Sequence, residues 1–212
     1  MASFNIFIND KEYLAHEGET VLNVATRNDI FIPALCYHCD LAPHESCRMC
    51  MVEVEDDKNL RASCSLRVKE NMSVFTDTER TQKSLIANLE LMWPQHEGKC
   101  RDCVKKNDCK LYDLAQRYVF DKHKYPDRKN TKGVYQFGPS IVFEPEKCIN
   151  CENCKEMCAR QTQGGFLNTS EGKFNFEISP SEKAELDCIF CGQCIIHRSE
   201  ERRVGKECRS RW

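Results

Sequence analysis

The stretch IVFEPEKCINCENCKEMC, residues 141–158, sets Cys148, Cys151, Cys154 and Cys158 at the spacing C-x2-C-x2-C-x3-C. Further along, DCIFCGQC, residues 187–194, repeats the first three positions as Cys188, Cys191 and Cys194. Runs this dense present several thiolates to one small volume, and the group that takes four thiolates from such runs is an iron–sulfur cubane. Zinc is the weaker rival, because zinc ribbons use paired C-x2-C knuckles rather than four cysteines in eleven residues.

The repeat resembles the two-cluster bacterial ferredoxins, in which the fourth cysteine of each run ligates the other cluster. The resemblance implies two sets. Cys158, Cys188, Cys191 and Cys194 form a complete 4Fe–4S site. Cys148, Cys151 and Cys154 form a second 4Fe–4S site that wants a fourth ligand at position 198, where the chain has Arg198. From there the sequence reads RSEERRVGKECRSRW, without apolar periodicity. Residues 198–212 resemble a translated sequencing adapter, and we expect them, with Cys208 and Trp212, to be foreign to the natural protein. The insert at 159–187 is longer than in minimal ferredoxins. Its FNFEI reads as a strand of a connecting hairpin, and Gly164-Gly165 reads as a turn rather than a phosphate loop.

Upstream, ERTQKSLIANLELMW predicts a helix with Leu85, Ile86, Leu89 and Met92 on one face, ended by Pro94. His96, Cys100, Cys103 and Cys109 follow at H-x3-C-x2-C-x5-C. Three cysteines cannot fill the four iron positions of a cubane, and a histidine nitrogen can supply the fourth. A neutral nitrogen in place of a thiolate changes the cluster charge and hence its potential. A closed zinc site is the competing reading. Residues 126–140 are polar and read as a linker, with His123 on a solvated face.

The N-terminal part opens with FNIFIND, which alternates Phe4, Ile6 and Ile8 on one face before an Asn9-Asp10 turn and KEYLAH. Thr20 caps a helix starting at Val21, and Pro33 forces extended backbone. Met51, Val52 and Val54 predict a strand, and LRASCSLRV another. Two strands, a helix and more strands is the β-grasp order of plant-type ferredoxins. Cys36, Cys47, Cys50 and Cys64 stand at C-x10-C-x2-C-x13-C, four thiolates for a 2Fe–2S cluster, in a variant of the plant-type loop. Cys39 is left over. It could pair with Cys36 as a redox or zinc C-x2-C, but a loop thiol is the simpler reading. His38 and His44 read as loop residues.

The string IPALCYHC…SCRMCMVEVE resembles the N-terminal domain of the complex I 75-kDa subunit family and of iron-only hydrogenases. One departure is Glu45, near a spot where that family often has glycine. The His96 motif also follows the same 2Fe–2S domain in those families, and HEGKCRDCVKKNDCKL is similar to the hydrogenase version. The implied architecture is α+β. It comprises a 2Fe–2S β-grasp domain (1–78), a small helical 4Fe–4S domain with one His and three Cys ligands (79–125), the linker, a truncated two-cluster ferredoxin-type domain (141–197) and the tail (198–212).

Composition supports this reading. The 212 residues contain 16 cysteines and carry a formal charge of −2. Residues 198–212 hold six basic and three acidic side chains, so the rest stands at −5. There is no basic stripe for nucleic acid, no apolar run that would span a membrane and no signal-like N-terminus, so the cysteines are expected in a reducing, cytoplasmic compartment. No nucleotide loop and no catalytic constellation stands apart from the cysteine motifs.

The resemblance implies an electron relay of one 2Fe–2S and three 4Fe–4S clusters. It would run between a flavin or NAD(P)H-oxidising subunit, or ferredoxin, and a catalytic domain beyond residue 197. That domain is expected to be an iron-only hydrogenase. The alternatives are an NAD-linked formate dehydrogenase, a stand-alone diaphorase-type electron-transfer subunit, a complex I 75-kDa-type subunit and, last, a zinc-binding interaction module.

Overall fold

The structure, a computed structural model, describes residues 2–103, 107–127, 134–137, 141–162, 165–171, 176–180 and 188–196. Arg198, Cys208 and the rest of 198–212 lie outside the described residues, as does Gly164.

The first unit is a five-stranded mixed sheet around one helix. β1 (Ser3–Ile8) and β2 (Lys11–His16) form a hairpin with register Ser3↔His16 to Ile8↔Lys11. Its turn is Asn9-Asp10, both left-handed (φ 50° and 61°), the geometry that two-residue hairpins require. α1 (Val21–Arg27) carries the chain across the sheet. Thr20 and Asn23 close a reciprocal cap at its start: the Asn23 N–H donates to Thr20 Oγ1 (3.2 Å) and the Thr20 N–H to Asn23 Oδ1 (3.1 Å). Such a cap stabilises a helix by about 1 kcal/mol. β3 (Met51–Val54), β4 (Arg61–Ala62) and β5 (Ser73–Phe75) complete the order β2-β1-β5-β3-β4, with β5 parallel to β1. Ile6, Ile8, Val52 and Val74 from the sheet meet Val21, Leu22, Val24 and Ala25 of α1 in one core.

The long strand expected from LRASCSLRV is cut to Arg61–Ala62. After the ladder pair Met51↔Ala62, the Ser63 N–H donates to the Cys50 carbonyl at 2.9 Å, and the Ser65 N–H closes a turn on Ala62. The turn presents Cys64 beside Cys50 instead of extending the ladder.

α2 (Glu79–Met92) is capped by Thr78 and Thr81 and runs into a 3-10 turn, Trp93–Gln95, containing Pro94. α3 (Lys110–Arg117) packs back with Leu111, Leu114 and Ala115. These residues share a second core with Leu35, Cys36, Cys47 and Met49 of the first cysteine loop, and with Ile149 and Cys151 of the run that opens at Cys148. The Arg117 guanidinium lies 4.1 Å from the centroid of Phe31, tying α3 to the first unit.

The stretch read as a linker carries β6 (Tyr135–Phe137), which pairs with β7 (Ile141–Phe143). A polar segment does not signal such a short strand, and the pairing to β7 supplies what its own composition lacks. α4 (Asn153–Gln161), the hairpin β8 (Leu167–Glu171) and β9 (Phe176–Pro180), and the short α5 (Gln193–Ile196) follow. The strand expected around FNFEI is β9. Gly165 turns the chain at φ 75°, and a Cβ there would meet the Ala159 backbone at 3.2 Å. Among the described residues no helix is long and apolar enough to cross a membrane.

Candidate metal centres

Cys36, Cys47, Cys50 and Cys64 converge in the floor of the first unit, all buried. Their thiols meet in two pairs. The Cys47 thiol hydrogen-bonds to Cys36, which lowers Cys36 to about 5 and, with burial, pushes Cys47 well up. The Cys64 thiol likewise serves Cys50, lowering Cys50 and raising Cys64. One thiol in each pair is therefore held toward its thiolate, the form that binds metal. The loop that delivers them bends sharply. Glu45 (φ 53°) and Arg48 (φ 50°) are both left-handed, and Glu45 lies near the spot where the resembled family often has glycine. The Glu45 carboxylate pairs with Arg48 at 3.1 Å, and the Arg48 carbonyl accepts from Asn88 Nδ2 at 2.9 Å, so α2 helps hold the loop.

The spare Cys39 is exposed, 3.5 Å from Asp40 Oδ1. His38, Cys39 and Asp40 gather their donor atoms within 4.8 Å of one another, apart from the four converged thiols. His44, read as a loop residue, lies at a junction. Its Nε2 is 2.5 Å from the Cys151 carbonyl, its Nδ1 is 3.2 Å from the Ala42 carbonyl, and its charge lowers Cys36. A histidine eight residues past a cysteine carries no signal of this in the sequence.

His96, Cys100, Cys103 and Cys109 line one pocket, together with Trp93, Lys99, Leu111, Tyr112 and Lys147. His96 is buried, and its N–H donates to the Trp93 carbonyl at 2.8 Å, so the 3-10 turn fixes the start of the site. Lys99 Nζ donates to the Gln95 carbonyl (2.9 Å) and to Asp127 (2.7 Å). Lys147 brings the pocket next to Cys148.

The last two sets interlock. The Cys154 thiol is pushed well up by burial first, then by the neighbouring thiols of Cys148, Cys151 and Cys194. Cys194 is pushed up to about 11 by burial first, then by Cys158, Cys191 and Cys188. Cys158 thus lies near Cys194 of the later run although it follows the earlier one in sequence, and Cys194 lies near Cys154 of the earlier run. Both runs use the same backbone. Asn150 (φ 55°) and Glu152 (φ 62°) are left-handed in the first, and Phe190 (φ 52°) and Gly192 (φ 71°) hold the equivalent places in the second.

No disulfide joins any two of the described cysteines. Thiols gathered this way, with burial raising several of them, are what a metal that replaces protons relieves. Two buried side chains fit the same picture. Among the described residues Trp93 Nε1 has no hydrogen-bond partner, nor have Oδ1 and Nδ2 of Asn153, a fully buried residue between Cys151 and Cys154. A sulfide-bearing group in the thiol sets is a chemically sensible acceptor for the two N–H donors, Trp93 Nε1 and Asn153 Nδ2. The residues present fit iron–sulfur clusters.

Fold and cysteine geometry together define an iron–sulfur protein of oxidoreductase electron transport. Residues 2–79 match the 2Fe-2S iron-sulfur cluster binding domain, and residues 140–197 match the 4Fe-4S dicluster domain. The NADP-reducing hydrogenase subunit HndD of Solidesulfovibrio fructosivorans is 33% identical over 203 residues, covering 92% of this chain and 35% of its own. The NADH-ubiquinone oxidoreductase 75 kDa subunit of Reclinomonas americana is 32% identical over 150 residues, covering 71% and 22%. A solved NAD+-reducing [NiFe]-hydrogenase in the H2-reduced state shares the fold, with a TM-score of 0.74 at 24% identity over 84% of this chain and 75% of that one. The chain thus carries a 2Fe-2S and a 4Fe-4S dicluster domain and is similar to these hydrogenase and NADH oxidoreductase subunits. It spans 35% and 22% of the two curated relatives' lengths.

Proposed function

We propose that residues 1–197 are a four-centre electron wire. The mixed sheet with its single crossing helix supports the β-grasp reading of 1–78. There Cys36 and Cys47 hold one iron of a 2Fe–2S cluster, and Cys50 and Cys64 hold the other. His96, Cys100, Cys103 and Cys109 hold a 4Fe–4S cluster in the small helical domain 79–125. Cys158, Cys188, Cys191 and Cys194 hold another. Cys148, Cys151 and Cys154 hold a third, whose fourth ligand is wanted at position 198. The observation that carries the reading is the gathering of buried His96 with three half-buried cysteines around one pocket. A zinc module would need no sulfide and would not explain the two neighbouring cluster domains.

When bound, the clusters supply one-electron chemistry. The chain supplies ligands, spacing and burial, which set their potentials. The donor would be a flavin or NAD(P)H-oxidising subunit, or ferredoxin. The acceptor would be a catalytic domain beyond residue 197, with an iron-only hydrogenase as first choice. An NAD-linked formate dehydrogenase is the second, and a stand-alone diaphorase-type subunit the third. The 75% coverage of the solved hydrogenase chain favours keeping that third reading, since most of that chain is matched by the relay alone.

The test is anaerobic reconstitution of the whole chain. Iron, acid-labile sulfide and reduced-state EPR signals of both 2Fe–2S and 4Fe–4S type are expected. Zinc binding without sulfide would sink the reading. Clean sequence beyond codon 197 distinguishes the parents: hydrogen-activating cluster motifs support hydrogenase, a molybdopterin domain formate dehydrogenase, and an early stop the relay subunit.

A further inference from the structure

Trp93 is buried, and its indole ring is held on several sides. Tyr112 lies 6.2 Å away between centroids, tilted by 41°. Phe120 meets it edge-on at 6.3 Å, and Lys122 Nζ lies 5.4 Å from the ring. The backbone carbonyl of Trp93 accepts from both the His96 and Glu97 N–H groups, at 2.8 Å and 3.0 Å. This ring therefore has little freedom to turn. Its Nε1–H is nevertheless buried with no acceptor among the described residues. Leaving a buried donor unmade costs about 1–3 kcal/mol, and native structures rarely tolerate it. The same residue lines the pocket formed by His96, Cys100, Cys103 and Cys109. Tryptophan is not required there for apolar contact alone, because phenylalanine would fill much of the same space without an orphaned donor.

We propose that the Trp93 indole N–H donates a hydrogen bond to a sulfur of the cluster in this pocket, either a sulfide or a ligating thiolate. The inference rests on the reading of that pocket as a 4Fe–4S site. Reduction adds one electron and leaves the cluster more negative, so an N–H donor stabilises the reduced form and raises the potential. Trp93 is then a positioning residue with two functions. Its carbonyl fixes the His96 turn, and its side chain tunes the centre that His96 helps to hold.

Trp93→Phe separates the two, since it removes the N–H and keeps the carbonyl and an aromatic ring. Wild type and Trp93→Phe, each reconstituted as the full chain, would be titrated by EPR-monitored reduction. The centre at His96 is identified by pulsed-EPR coupling to a histidine nitrogen. At equal iron and sulfide content, its midpoint should move to more negative potential in the variant while the 2Fe–2S midpoint stays. An unchanged midpoint overturns the inference while leaving the cluster assignment intact. A wild type in which no histidine-coupled centre forms overturns the assignment and the inference with it. A second measurement needs no variant. Wild-type protein grown with indole-15N tryptophan should show a weak 15N coupling at that same centre, and its absence overturns the inference even if Trp93→Phe fails to assemble.

Discussion

The cysteine runs at 148–154 and 188–194 share a backbone and differ in almost everything around it. Both take left-handed turns at the same two places, Asn150 and Glu152 in one, Phe190 and Gly192 in the other. The first is built into the protein. Ile149 and Cys151 belong to the shared core, His44 reaches the Cys151 carbonyl, and Arg160 donates to the Asp40 carbonyl at 2.5 Å. The second stands outward, with Ile189 and Phe190 62% and 46% exposed and Cys191 exposed as well. Thiol neighbours cross between the runs, Cys158 beside Cys194 and Cys194 beside Cys154, and on the proposed assignment Cys158 completes the second set while the first has Arg198 where its partner is wanted. Equal cysteine spacing therefore goes with an equal loop conformation, while on the proposed assignment the completeness of a site is decided by a residue from the other run.

The largest break in that symmetry should come from Cys158→Ser. It should remove the cubane at Cys188, Cys191 and Cys194, losing on the order of four irons per chain. Its EPR spectrum should match that of Cys188→Ser rather than Cys148→Ser. A match to Cys148→Ser would mean that Cys158 serves its own run.

Next in size is Arg198→Cys. As it stands, the site at Cys148, Cys151 and Cys154 should be labile or hold three irons. The variant should add about one iron per chain and remove the three-iron signal of the oxidised protein. Equal iron content in both forms would discard position 198 as a ligand position.

The smallest effects concern the backbone. A non-glycine residue in the left-handed region costs about 1–2 kcal/mol. Glu152→Gly and Phe190→Asn should each raise the midpoint of urea unfolding, and Gly192→Glu should lower it by a similar amount, about 1 kcal/mol in each case. Equal midpoints in all three variants would show that the runs tolerate these turns without strain.

Much of this was legible in the sequence because cysteine spacing and strand alternation are local. Phe4, Ile6 and Ile8 announce β1, Thr20 announces the start of α1, and the thiols of Cys36, Cys47, Cys50 and Cys64, expected together from their spacing, lie near one another. The glycine expected near Glu45 has a physical counterpart in its φ of 53°. What escaped depends on distant partners. The β6 strand exists through pairing with β7, β4 stops early because the Ser65 and Leu66 N–H groups turn back onto the Ala62 carbonyl, and His44 gains meaning only where residue 151 folds back on it. Trp93 escaped for another reason: a tryptophan ending an amphipathic helix reads as core, and only the structure shows its nitrogen without an acceptor.

The placement of Cys158 beside Cys194 has a consequence for how the protein is made. A ribosome emits residues 148–158 well before residues 188–194, so on the proposed assignment the thiol that completes the later set waits while the intervening hairpin is synthesised. Throughout that interval Cys158 lies close in sequence to three other thiols and open to the wrong partner. Under that assignment, correct metal loading of this set cannot begin until residue 194 has been made, and a shortage of iron or sulfide would leave the waiting thiols exposed to oxidation.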